Sequence, residues 1–336
     1  MRCEELEVRS GELSIIFYLL SFILFMKGLV IKNTGSWVTV RLEDGNTVNS
    51  KMRGVLRLKG LRCTNPVAVG DIVQVEDKGG DAPVVGAIEP RKNYIIRRAS
   101  NLSKEFQIIA SNLDQAVLVA TIIHPETSTT FIDRFLATAE AYQVPAVLVF
   151  NKVDLLVTEE SRLYLDELRQ MYEAVGYRVV AMSAATGEGA DELKSLLSGK
   201  MSLLSGNSGV GKSSIINLLV PDANVRVGDV SHTHHKGMHT TTFSELLDLP
   251  GGGAIIDTPG VKAFGTIDFE RAEVAHYFPE IFRISADCRF NNCTHTHEPG
   301  CAVLAAVERG DIAYTRFVSY LSILDEDPNN KYRKPF

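Results

Sequence analysis

Hydrophobic positions change their spacing twice along this chain. Between residues 28 and 97 they come in short alternating runs broken by turn residues. Trp37–Leu42 leads into Glu43-Asp44-Gly45-Asn46, a hairpin signal, and further runs follow at 54–58, 69–75 and 84–88. Four or five strands in about 70 residues predict a small closed β-barrel, with an OB-fold foremost. From residue 101 the runs lengthen and alternate in type. Residues 115–123 and 145–150 read as buried strands, 179–182 as a shorter one, and 243–248 with 253–256 as a strand pair. Residues 131–142, with Phe131, Phe135 and Ala139 on the apolar face, read as a helix, as do 159–175 and 190–197. This alternation predicts an α/β domain: a mostly parallel sheet covered by helices on both faces, with ligand loops at the strands' carboxyl ends. After residue 266 come shorter amphipathic helices, 302–309 and 313–324, around a cysteine cluster, with a polar tail from Asp325. The expected organisation is multidomain: barrel 27–98, α/β domain 99–265, helical C-terminal domain 266–336.

The first 26 residues stand apart. Residues 13–25 are a thirteen-residue apolar run, short for a bilayer span. Glu4, Glu5, Glu7 and Glu12 outnumber Arg2 and Arg9, and no small-residue cleavage site follows, unlike a secretory signal. The run is either an upstream misreading of the start codon, with Met26 the natural start, or a short interfacial anchor. The flanks favour the first, so no stable membrane association is expected.

The densest chemistry lies in residues 201–220. An apolar strand is followed by Gly206-Asn207-Ser208-Gly209-Val210-Gly211-Lys212-Ser213-Ser214 and then a helix start. This is the phosphate-loop spacing G-x-x-x-x-G-K-[ST] in its strand–turn–helix context. Its backbone N–H groups can curl around a phosphate, Lys212 adds a full positive charge, and the Ser213 hydroxyl can ligate Mg²⁺. Asn151-Lys152-Val153-Asp154 follows a buried strand. A carboxylate at Asp154 can accept two N–H groups from guanine, which adenine does not offer in that arrangement, so the pair of motifs selects GTP over ATP. Asn151 can serve the N7 side of the base, the Lys152 stem can lie across it, and Ser183-Ala184 can offer backbone N–H groups to O6.

Asp257-Thr258-Pro259-Gly260 fits a Mg²⁺-holding acid followed by a glycine N–H facing the γ-phosphate. A switch threonine is expected within Thr240-Thr241-Thr242, with Thr241 favoured as a Mg²⁺ ligand. Val261 stands where Ras-like enzymes carry a water-orienting glutamine, which implies slow intrinsic hydrolysis or a substitute. His239 is the candidate catalytic substitute beside Lys212 and Thr241; an exposed histidine without a role is the equal alternative. In chain order the base-reading motifs (151, 183) precede the phosphate-reading ones (206, 240, 257). Ordinary GTPases run the other way, so the chain reads as a circular permutation.

Composition changes this picture little. At 336 residues, 45% hydrophobic and 23% charged, the chain suits a soluble protein of two or three domains. The net charge of −6 gives no sign of polyanion binding. Residues 27–100, however, hold 13 basic against 7 acidic groups, either a nucleic-acid face or an ordinary solvated one. Among five cysteines, Cys288, Cys293 and Cys301 cluster with His295 within fourteen residues. That is a complete Cys₃His set for structural Zn²⁺, one per chain, rather than a disulfide framework. Zinc is expected to staple a C-terminal domain too poor in apolar residues to hold itself. His297 reads as a neighbour of the set or as unrelated.

Together these residues resemble the small-subunit-dependent GTPase family known as RsgA or YjeQ, over about residues 27–325. The resemblance also takes in Pro90-Arg91-Lys92-Asn93, Asn112-Leu113-Asp114-Gln115, Asp133-Arg134 and Glu298-Pro299-Gly300-Cys301. It implies an OB-fold, a circularly permuted GTPase domain and a zinc domain. It further implies a monomeric cytoplasmic factor that binds GTP and GDP and meets the small ribosomal subunit and its rRNA late in assembly. Such a factor would hydrolyse GTP when docked, help release another assembly factor and check the decoding region. An RNA-binding module with a decayed nucleotide site, or an ATP-using P-loop enzyme, are the other readings. Intact Lys212, Ser213, Asp257 and Asp154 oppose the first, and Asn151-Lys152-x-Asp154 opposes the second.

Overall fold

The computed structural model describes residues 24–52, 66–77, 82–98, 106–223, 244–257 and 269–325. Expectations for the 54–58 strand, His239, Thr240–Thr242, Gly260, Val261 and most of the apolar front lie outside these residues.

Five strands make the N-terminal barrel: β1 (Leu24–Asn33), β2 (Trp37–Leu42), β3 (Thr47–Met52), β4 (Ile72–Asp77) and β5 (Val84–Ile88). Their order is β1-β2-β3-β5-β4, and β4 pairs back onto β1, which closes an OB-like barrel. Each of the five described strands is thereby paired on both sides. Val30, Val38, Val40, Val73, Val75 and Val85 alternate inward to fill the interior. β1 begins at Leu24, opposite Asp77, so it takes in the last three residues of the apolar front segment. The sequence pattern did not announce β3. Only Ser50 in it is fully buried, and its pairing with β2 and β5, not its own alternation, makes it a strand.

A two-stranded ribbon, β6 (Tyr94–Arg98) and β7 (Phe106–Ser111), leads into the α/β domain. Its sheet runs β10-β9-β8-β11-β13-β12: β8 (Gln115–Ala120), β9 (Ala146–Phe150), β10 (Arg178–Ala181), β11 (Met201–Gly206), β12 (Glu245–Asp248) and β13 (Ala254–Asp257). Five strands are parallel and β12 is antiparallel to β13. Along β8, Ala116, Leu118 and Ala120 pack on one face and Val117 and Val119 on the other. Helices α1 (Thr129–Ala141) and α2 (Glu159–Val175) cover the first face; α3 (Ala190–Leu197) and α4 (Lys212–Leu219) cover the second. Burial on both sides is why these strands read as unbroken apolar runs.

The α2 bounds follow local chemistry. Thr158 caps the N-terminus by accepting from Ser161 N, and Gly176, at φ +115°, ends the helix in the left-handed region. In α1 the apolar face holds the expected Phe131, Phe135 and Ala139 and is broader than expected. Ile132, Phe135, Leu136 and Ala139 are buried while Phe131 is only half-buried, because the helix also packs on the C-terminal domain.

That domain contains α5 (Pro279–Ser285), α6 (Ala302–Arg309) and α7 (Tyr314–Leu324). It is not poor in apolar residues. Val274, Phe278, Ile281, Val303, Ile312, Phe317, Tyr320, Ile323 and Leu324 form a buried core together with Ala137 of α1. The sequence pattern under-counted this core because its residues are scattered over short helices and the segments between them. Among the described residues, no helix is long and apolar enough to cross a membrane.

Candidate nucleotide site and metal centre

Strands β8, β9, β10, β11 and β13 are parallel, so their carboxyl ends share one edge of the sheet. The loops that leave this edge carry every described residue of the predicted nucleotide motifs. Asn207 to Gly211 connect β11 to α4, and Gly206 and Gly211 are obligatory in that turn. A Cβ on Gly206 (φ +148°) would lie 2.3 Å from the Val119 carbonyl oxygen. One on Gly211 (φ +96°) would lie 2.3 Å from Asn151 Nδ2.

Lys212 opens α4, and its ammonium donates to the carbonyls of Gly206 and Asn207, each at 2.7 Å. This sets the charge over the mouth of the loop. Burial lowers the Lys212 pKa and the nearby Asp257 carboxylate, at the end of β13, works against that. Ser213 and Ser214 follow in the first turn of α4, both half-buried.

Asn151 and Lys152 of the Asn-Lys-x-Asp segment brace the loops around them. Asn151 donates through Nδ2 to the Val210 carbonyl (2.8 Å) and accepts through Oδ1 from Ala184 N (3.0 Å). Both ends of the amide thus tie the phosphate loop to the Ser183-Ala184 loop. Lys152, at φ +66°, sends its ammonium to Gly209 O (2.6 Å) and to His124 O (2.5 Å). Burial lowers its pKa, opposed by Asp154. Asp154 is exposed, and Oδ1 accepts from the buried Ser183 hydroxyl at 2.5 Å. Ser183 Oγ itself accepts from Ala185 N and Thr186 N. The carboxylate is therefore fixed in orientation at the protein surface, as a base-reading group must be. Val153 starts the single 3₁₀ turn that presents it. The role of the His124 carbonyl had no signal in the sequence, because a backbone acceptor leaves none.

The second site lies in the C-terminal domain. Cys288, Cys293, His295 and Cys301 place their ligand atoms within 4.8 Å of one another. His295 Nδ1 is 3.6 Å from Cys288 Sγ and 3.5 Å from Cys301 Sγ, and those two sulfurs are 3.9 Å apart. A tetrahedral site with sulfur at about 2.3 Å and nitrogen at about 2.05 Å from its centre has edges of about 3.8 and 3.6 Å. The four residues can therefore hold a metal ion, and the set is compatible with zinc. Burial, and then the neighbouring sulfurs of Cys301 and Cys288, push the Cys293 thiol up to about 12. A bound cation reverses that by stabilising thiolate. Burial lowers the His295 pKa against the pull of Glu298, which keeps the ring in the neutral form a ligand needs. Neither His297 nitrogen joins the set; Nδ1 meets the Thr296 hydroxyl at 2.8 Å.

A phosphate loop, an Asn-Lys-x-Asp run and the strand-end Asp257 meeting at one sheet edge, in permuted chain order, define a circularly permuted P-loop GTPase. Known proteins carry this further. The RsgA GTPase family model matches residues 88–267, and the RsgA N-terminal domain model matches residues 27–85. A Porphyromonas gingivalis protein named small ribosomal subunit biogenesis GTPase RsgA is 58% identical over 316 residues, 93% of this chain and 100% of its own. A Flavobacterium johnsoniae protein of the same name is 48% identical, covering 90% of this chain and 94% of its own. The crystal structure of YjeQ from Thermotoga maritima superposes with a TM-score of 0.72 at 36% identity, over 90% of this chain and 98% of that one. YloQ, described as a circularly permuted GTPase, superposes with a TM-score of 0.70 at 27% identity, over 93% and 98%. This chain belongs to the RsgA GTPase family.

Proposed function

We propose that this protein binds the small ribosomal subunit, assists its late maturation, and hydrolyses GTP slowly alone and faster when docked. One observation carries the nucleotide half of the reading: Lys212, Asp257 and Asp154 come to one sheet edge from motifs spread over about a hundred residues. The ribosomal half rests on relatives at 56–58% identity that bear the small-subunit name.

In this reading the N–H groups of 206–211 cradle the phosphates and Lys212 balances their charge. Asp154 accepts from guanine, with Ser183 fixing its angle. Asn151 and Lys152 keep the phosphate loop and the base pocket in register. Ser213, Thr241 and Asp257 would hold Mg²⁺, which neutralises phosphate charge as it develops. Gly260 would face the γ-phosphate, and His239 would orient the attacking water. Cys288, Cys293, His295 and Cys301 would hold one structural Zn²⁺.

The barrel is the expected rRNA contact, but its basic surplus is smaller than the count suggests. Lys32 and Arg41 are taken up by Glu245 and Asp248 of β12, outside the counted residues, while Arg91 and the buried Asp71 cancel within them at 2.6 Å. Lys51, lying 5.4 Å over the exposed Trp37 ring, is the better-placed cation for an RNA base or phosphate. We assign domain limits of 27–98, 99–265 and 266–336, a monomer, and a cytoplasmic site of action. The test is single-turnover GTP hydrolysis with and without purified small subunits. Stimulation is expected, and its absence would remove the ribosomal half of the reading.

A further inference from the structure

The four candidate metal ligands are not equally supported by the fold. Cys301 is the N-cap of α6, where its sulfur accepts from Leu304 N at 3.4 Å. Cys288 is anchored just after α5 by its N–H to the Ser285 carbonyl. Cys293 likewise donates its N–H to the Phe290 carbonyl, but His295 sits on an irregular turn at φ +56°, in the left-handed region that non-glycine residues uncommonly take. Something must hold that turn in place.

Glu298 does so. Its Oε1 accepts from Thr294 N (2.7 Å) and from the Thr294 hydroxyl (2.5 Å). Its Oε2 accepts from Thr296 N (3.0 Å) and His297 N (3.1 Å). The left-handed residue turns the N–H groups on either side of His295 toward one point, forming a concave anion site, and the chain's own carboxylate fills it. From behind, the Tyr320 hydroxyl of α7 donates to the Thr294 carbonyl at 2.9 Å, and the Tyr320 ring lies 6.1 Å from the imidazole. The turn is thus held by the helical core on one side and by Glu298 on the other.

We propose that Glu298 is a positioning residue for the metal centre: its carboxylate organises the Cys293-x-His295 turn, so that metal affinity and release depend on a side chain that never touches the ion. The proposal rests on the reading of this cluster as a zinc site. Metal-site partners one layer beyond the ligands commonly change affinity by roughly 10–100-fold when removed. Glutamine at this position keeps size and one acceptor but turns an N–H₂ toward backbone N–H groups. Aspartate keeps the charge on a stem one methylene shorter.

The experiment uses the full chain, with zinc transfer to a chromogenic chelator and the visible spectrum of the Co²⁺-loaded protein. For Glu298→Gln we expect zinc affinity lower by roughly 10–100-fold, faster release, and loss of tetrahedral cobalt intensity. Glu298→Asp should recover part of each, and Thr294→Val, which removes one donor of the four, should speed release by a smaller factor. Wild-type release rates and an unaltered cobalt spectrum in Glu298→Gln would overturn the proposal. Should that variant fail to fold even in excess zinc, unchanged release from Thr294→Val would overturn it instead. Failure of the wild type to take up zinc or cobalt would overturn the metal reading itself, an outcome distinct from the others.

Discussion

Replacing Arg316 by methionine should cost far more than the loss of one surface charge, because its guanidinium joins two domains out of contact with water. Arg316 on α7 and Asp133 on α1 are fully buried, and Glu280 on α5 nearly so. Nε and Nη2 form a fork on Glu280 at 2.7 and 3.0 Å, and Nη1 donates to Asp133 Oδ1 at 2.8 Å. The Tyr172 hydroxyl donates to the same oxygen at 2.9 Å, and the Phe278 ring lies 4.9 Å beneath the guanidinium. Methionine would leave two carboxylates buried without a cation, a change that costs about 3–5 kcal/mol. A whole domain is stabilised by only about 5–15 kcal/mol, so the C-terminal helices should detach or unfold first. Exchanging all three charged residues for apolar ones of similar volume should be much milder, from neutral to about 1–4 kcal/mol stabilising.

The penalty should also depend on pH. Burial raises the Asp133 pKa, against the opposing effects of Arg316 and of its hydrogen bonds. A carboxyl raised in the folded state contributes stability that is complete below the unfolded value, about 4, and is lost as pH rises through the folded one. Without Arg316 the folded value climbs further, so the deficit should be smallest in mild acid and grow toward neutrality. Amide hydrogen exchange on α5–α7 is the suitable assay, since the single tryptophan, Trp37, lies in the barrel and would not report on this region. A deficit under about 1 kcal/mol at pH 7, or one indifferent to pH, would refute the reasoning, given the expected 3–5. So would a triple variant as unstable as the single one.

Asp154→Asn should shift nucleotide preference toward xanthine, because the amide presents a donor where guanine also presents donors; unchanged GTP affinity would take Asp154 out of the base pocket. Cys293→Ala should lower the zinc content while leaving α5–α7 folded, since their core extends onto α1; collapse of those helices on metal loss would show that the apolar core is insufficient alone. His239→Ala should leave GTP and subunit binding near normal yet lower subunit-stimulated turnover by about 10²–10⁴-fold, the usual range for such a group; full stimulation would exclude His239. Starting the chain at Met26 should preserve GTP binding, although it removes the Leu24 and Phe25 pairings with β4; a loss of barrel stability would show that those two residues matter.

Chemistry written in contiguous residues was determined by the sequence alone. The phosphate loop, the Asn-Lys-x-Asp run, the permuted motif order and the Cys₃His spacing each need only a few neighbouring side chains in a set order. The helices 159–175, 190–197 and 302–309 were legible to the residue, because caps and periodicity are local. What tertiary structure alone decided is how groups far apart in the chain use one another. Asn151 became a brace through a carbonyl 59 positions away, and Arg316 found Asp133 across 183. The polar β3 became a strand because β2 and β5 offered it hydrogen bonds, and α1 buried a broader face because a second core lay beside it. Glu298 was visible as a residue but not as an anchor, since its partners are mostly backbone N–H groups aimed by the fold of the turn. Spacing in a sequence encodes local geometry, but the partners of a buried polar group are set by the packing that surrounds it.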